Sequence, residues 1–168
     1  MQSKLVWGVF FVSLLVSSLS FAMMHDTRAL EADPFSQTEP IAPKLSGLGD
    51  YTFSVTTSIA ESQYFFNQGL RLAYAFNHSE ALRAFKEAVR LDPSKAMAFW
   101  GWALGLGPNI NLPMQTYVRE QASEAIQKAS ELKSLVSKRE AAFIDALARR
   151  YSDDPSVTRS ILDRDYAE

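Results

Sequence analysis

Two apolar stripes set back to back between Phe65 and Pro93 constrain this chain more than any other feature. Phe65, Phe66, Leu70, Leu72, Ala73 and Phe76 recur at spacings of three and four. After a break at Asn77 and His78, Ala81, Leu82, Phe85, Ala88, Val89 and Leu91 do the same. That period belongs to a helix with one apolar side, and such a side has to be covered by another element. Gly69 lets a neighbouring helix approach where any side chain would hold it off. Ala81 faces the same crossing, and Phe85 with Ala88 forms a large–small pair on the second helix. Asp92-Pro93 closes the pair and opens a further helix, because proline fits a first helical turn, where its missing N–H is not needed.

The pattern then returns. Phe99 follows Phe65, and Ala103 follows Gly69, each by 34 residues. Ala122, Ile126 and Ala129 repeat the spacing of Ala81, Phe85 and Ala88, displaced by an insertion that falls in Gly107-Pro108-Asn109-Ile110-Asn111-Leu112-Pro113. A third unit starts at Ser137 and breaks between Tyr151 and Pro155. A large residue, a glycine, A-x3-F-x2-A and a closing proline stand in order at Phe65, Gly69, Ala81, Phe85, Ala88 and Pro93. The chain thereby resembles the tetratricopeptide-repeat family, departing from it at Gln68 and Leu72, where the family prefers leucine and tyrosine. Residues 66–70 (FNQGL), 75–78 (AFNH), 96–101 (AMAFWG) and 107–109 (GPN) make it similar to a group of exported bacterial members of poorly defined function. The resemblance covers roughly residues 47–168 and implies an all-α fold, an α-solenoid of about two and a half tetratricopeptide-type helical hairpins.

Start signals place the helices at about 59–76, 79–91, 94–106, 114–133, 138–151 and 156–168. Ser58 with Glu61, Asn77 with Glu80, and Ser137 with Glu140 each set a cap residue three before a glutamate. Pro93, Pro113 and Pro155 each stand where a first-turn proline would. Tyr166-Ala167-Glu168 lies inside a helical pattern with no closing cap, so the chain is expected to be the N-terminal portion of a longer array.

Before the helices, residues 1–22 have the make-up of a secretory signal peptide: Lys4, an apolar run from Leu5 to Leu19, and the small-x-small site Ser20-Phe21-Ala22. An uncleaved anchor is the alternative for this run. Residues 23–57 carry Pro34, Pro40 and Pro43 among Ser, Thr, Asp and Glu, followed by Gly47 and Gly49. This is a flexible-linker composition, in which Tyr51-Thr52-Phe53-Ser54-Val55 alternates as a short extended segment able to dock on the first helix. The expected organisation is therefore a signal peptide at 1–22, a linker at 23–57 and the repeat domain at 58–168. The expected location is periplasmic or extracellular, with no membrane span left after cleavage.

Lysine and arginine number 17 against 19 acidic residues, with no basic stripe, which argues against a nucleic-acid partner. Cysteine is absent, so disulfides, thiolate metal sites and cysteine nucleophiles are excluded. No phosphate loop, nucleophile elbow or H-E-x-x-H motif occurs, and the carboxylates follow the polar faces of helices. Neither catalysis nor a cofactor is expected. Two histidines are weak metal candidates. His25 would become the third residue after cleavage at Ala22, a position that suits square-planar Cu(II) or Ni(II). His78 stands at a helix start, without the second and third ligands that zinc requires.

Lining of a concave groove by the first helix of each unit is what the resemblance implies. Gln63, Phe66, Asn67, Leu70, Tyr74 and Trp100 then face a protein or peptide partner. Family members that clamp a terminal carboxylate carry lysine and asparagine at the places of Phe66 and Leu70. The apolar pair here favours an apolar or aromatic segment instead, with Gln63 and Asn67 fixing its main chain. The competing assignment for Trp100 is the core, because Ala96–Gly107 is apolar nearly all round. The reading is an exported, non-catalytic scaffold for polypeptides, the alternatives being a copper-type metal-binding protein or the first part of a larger enzyme.

Overall fold

The apolar stripes become helices that pack in chain order. The computed structural model describes residues 39–168, Pro155 excepted. Six α-helices follow one another, with no strand among the described residues: α1 (Ala60–Tyr74), α2 (His78–Leu91), α3 (Ala96–Leu106), α4 (Arg119–Glu131), α5 (Lys138–Ala148) and α6 (Arg159–Ala167). Consecutive helices touch, and α3 also reaches α1 and α5. Ser62 near the start of α1 donates to the Ala88 carbonyl near the end of α2, while Gly69 meets Phe85 further along, so the two helices run antiparallel. Trp100 lies beside Phe143 and Ala103 beside Tyr151, which aligns α3 with α5. The result is a helical array in which α1, α3 and α5 share one layer and α2 and α4 back it.

Glycine sets the spacing of these layers. A Cβ on Gly69 would lie 2.6 Å from the Phe85 ring, and one on Gly101 would lie 2.4 Å from the same ring. Phe85, fully buried on α2, is therefore held between bare backbone on α1 and on α3. The central helix α3 buries nine of its residues, among them Met97, Phe99, Trp100 and Trp102. Each large apolar side chain removed from water contributes about 1.5–3 kcal/mol.

Several boundaries differ from the sequence expectation, each for a local reason. Ser137 forms a full capping box with Glu140, and the Asn77 side chain accepts from the Glu80 N–H. Ser58 does not cap α1, although Glu61 follows it; Ile59 takes that place, and the Thr57 hydroxyl accepts from its N–H. The third helix starts at Ala96 rather than 94, because the Asp92 carboxylate draws the Ser94 N–H and hydroxyl into a turn. The stretch 114–133 is broken: 3-10 turns at Thr116–Val118 and Lys133–Leu135 bracket α4.

Helix α1 ends with the Asn77 N–H on the Leu72 carbonyl and the Phe76 N–H on the Ala73 carbonyl, the doubly bonded left-handed cap that glycine usually makes. Here Phe76 occupies it, at φ 59° and 58% exposed. A side chain pays steric energy in that conformation, and this one gains little burial in return. Phe76→Gly is expected to raise stability by about 1 kcal/mol in urea unfolding. Gly101→Ala is expected to lower it by about 1–3 kcal/mol through overpacking, less the helix propensity that alanine adds. Phe85→Leu should relieve that loss in the double mutant, and strict additivity of the two changes would contradict the clamp.

Candidate functional site

Residues 41–57 have the composition of a linker, yet they lie against the helices as a strap that straddles α1. On one side, the Ile41 N–H donates to Glu87, the Leu45 N–H to the Gln68 side chain, and Tyr64 to the Leu45 carbonyl. Gly47 and Gly49 then turn the chain at φ values of 78° and 76°, where a side chain would be strained. Arg71 donates to the Tyr51 carbonyl, and residues 51–57 return along the opposite side of α1.

The returning limb occupies the face assigned to a partner. The Asn67 side chain accepts from the Phe53 N–H at 3.2 Å, and Gln63 both accepts from the Val55 N–H and donates to the Phe53 carbonyl at 3.0 Å. Gln63 also donates to Asn67, which fixes the two amides relative to one another. The Phe53 ring packs on Phe66 of α1 and on Phe143 of α5, and the Arg139 guanidinium lies 4.4 Å from its centre. Gln63 and Asn67 thus do bind an extended main chain, and that chain is the protein's own. Phe66 and Leu70 are buried in the core, and Trp100 is closed off by Phe143, to whose carbonyl its indole N–H donates. None of these three offers a free contact surface. Tyr74 alone of the six stays open, 63% exposed and edge-on to Tyr51.

The end of the strap is fastened by acids that the sequence marks only as helix caps. Glu140 accepts from both the N–H and the hydroxyl of Thr56 at 2.7 Å, and Asp92 accepts from the Thr57 hydroxyl. Burial pushes both carboxyls up, but these bonds and those from Ser94 and Ser137 outweigh it and hold both below the usual range. Between them lies Lys95, 1% exposed, its amine 5.1 Å from the Phe66 ring and without a hydrogen-bond partner among the described residues. Burial lowers its pKa to about 7 against the opposing pull of Asp92 and Glu140. Lys86 on α2 is equally buried, over the Trp102 ring, and is lowered to about 8. Its register was the available signal, since Leu82, Lys86 and Val89 lie on one apolar stripe.

No protein-family model, curated protein or solved structure matches this chain. The site therefore has to be interpreted from its own geometry. His25 lies outside the described residues. His78 faces the Phe76 ring, its Nε2 enclosed without a hydrogen-bond partner among the described residues and its pKa lowered by desolvation. Among the described residues no three His, Asp or Glu side chains converge as metal ligands. No helix described is long and apolar enough to cross a membrane.

The buried amines make stability depend on pH. An unfolded lysine titrates near 10.5, whereas Lys95 and Lys86 give up their protons at about 7 and 8 in the fold. Across that window the unfolded chain holds more protons, so stability rises with pH. The urea midpoint should climb from pH 7 to 9.5, and Lys95→Met should flatten part of the climb. A falling profile would contradict the burial of these charges.

Proposed function

We propose that this chain is an exported, non-catalytic helical scaffold that holds an extended polypeptide on the face shared by α1, α3 and α5. The observation that carries the reading is the grip of Gln63 and Asn67 on the main chain of Phe53 and Val55. Contacts of that kind accept any extended segment, and specificity falls to the side chains that alternate inward. Phe53 is one such anchor, seated between α1 and α5. The tetratricopeptide resemblance supports the same face, because it implies recognition by the first helix of each hairpin. Export rests on the charge and apolar run of residues 1–22, and the lack of a basic stripe favours a polypeptide over nucleic acid.

Titration of the full chain with seven-residue peptides tests this reading. Peptides alternating aromatic or β-branched with polar residues should shift the NMR signals of the Gln63 and Asn67 side-chain amides. Gln63→Ala should weaken that binding by about tenfold, as expected for the loss of two main-chain hydrogen bonds in a half-buried site. Unmoved amide signals at millimolar peptide, in the wild type and in a folded variant with Phe53 and Val55 replaced by serine, would refute the assignment.

A further inference from the structure

We propose that residues 51–57 are a resident competitor, and that the partner is a polypeptide segment of the same pattern, aromatic-x-β-branched-Thr-Thr, which enters by displacing them. The proposal rests on the preceding reading and names both the partner class and the regulation of that site.

The strap is fastened in a way that another chain could reproduce. Its polar ties run from strap main chain or hydroxyls to side chains on the helices: Phe53 and Val55 to Asn67 and Gln63, Thr56 to Glu140, Thr57 to Asp92. Among the described residues no main-chain to main-chain hydrogen bond ties residues 41–58 to a helix. Apart from the Thr57 hydroxyl, which also accepts from the Ile59 N–H two residues on, these ties do not depend on the occupant belonging to this chain. Ser54, Thr52 and Tyr51 face solvent, so the limb is covered on one side only.

The seat also states what must replace the strap. Asp92 and Glu140 are buried and accept from two hydroxyls and one N–H of Thr56 and Thr57. The Lys95 amine lies near both acids but hydrogen-bonds to neither carboxylate. An occupant with aliphatic side chains at those two positions would take one hydroxyl donor from each buried carboxylate, leaving Asp92 to Ser94 and Glu140 to Ser137 and one main-chain N–H, a penalty for charged acceptors. Upstream, the space beside Phe66 and Phe143 under the Arg139 guanidinium suits an aromatic ring. Because the strap is tethered, it competes at a high effective concentration, and a free segment binds the intact chain weakly.

The test uses the full chain and a fluorescein-labelled peptide of sequence YTFSVTT, which copies residues 51–57. Fluorescence anisotropy should show binding to the F53S/V55S double mutant at least about tenfold tighter than to the wild type, since its own strap no longer competes. The peptide with both threonines replaced by alanine should lose at least about tenfold on the same mutant. If F53S/V55S fails to fold, as judged by circular dichroism and cooperative unfolding, T56V/T57V provides the second variant and should show the same gain. Equal affinity for wild type and a folded strap mutant would overturn the competitor role, and equal affinity for a scrambled peptide would overturn the pattern. In both cases the scaffold reading would stand on its own titration. Absence of binding to every folded variant would remove the proposal, and with unmoved Gln63 and Asn67 signals the scaffold reading as well.

Discussion

Everything in this array depends on one aromatic ring being held between two helices that offer it no side chain. Phe85 projects from α2 and meets bare backbone at Gly69 of α1 and at Gly101 of α3. The contact joins three consecutive helices through a single residue and fixes their separation. Gly105 does the same on a smaller scale, where an added Cβ would lie 3.2 Å from Leu82. With the spacing set, the small residues Ala81, Ala84, Ala88 and Ala98 are fully buried at the crossings, and the larger side chains fill the volume beside them. The helices owe little to intrinsic propensity, since α3 carries glycine at two positions and is stabilised by its neighbours.

On this frame the strap has a double character. Its outer limb is a structural brace, with Ala42 buried and the Ile41 N–H on Glu87, which also forms a close ion pair with Arg90. Its inner limb occupies what would otherwise be an open face. The chemistry differs accordingly. Both limbs use neutral amides, Gln68 for the outer and Gln63 with Asn67 for the inner; the outer limb adds an ion-paired acid, whereas the inner adds two acids with a lysine amine close by. Burying an amine without a hydrogen-bond partner opposes stability, and packing of the kind seen at Phe85 is what tolerates it.

The helical architecture was legible because it is written in a period. The apolar positions between Phe65 and Leu91 mark α1 and α2 to within two residues, and the Asn77 and Ser137 caps stand where spacing puts them. The broken stretch around α4 was not legible, because a 3-10 turn such as Thr116–Val118 leaves no periodic trace. Groove residues were the hardest part. Periodicity says that Phe66, Leu70 and Trp100 must be covered, but it carries no information about whether a partner, a later helix or the chain itself covers them. The tetratricopeptide resemblance implies main-chain recognition by Gln63 and Asn67, and both do hold main chain. The alternation of residues 51–55 marks a segment able to dock on α1; which side chains receive Phe53 and Val55 follows from tertiary geometry. The burial of Lys95 was not legible: a lysine before an apolar helix resembles a solvated residue until Glu140 arrives from a distant segment.

That distance has a consequence for how the molecule is made. Thr56 and its anchor Glu140 are separated by 84 positions along the chain. During synthesis the ribosome delivers Phe53 and Thr56 long before α5 exists to receive them. The first hairpins and the bonds of Phe53 and Val55 to Asn67 and Gln63 can form in the meantime, but the ties of Thr56 to Glu140 and the contacts of Phe53 and Trp100 with Phe143 wait for the fifth helix. For that interval the nascent chain presents the Trp100 indole and the outer side of the Phe53 ring to whatever else is near, and a folding helper has its clearest opportunity to act there.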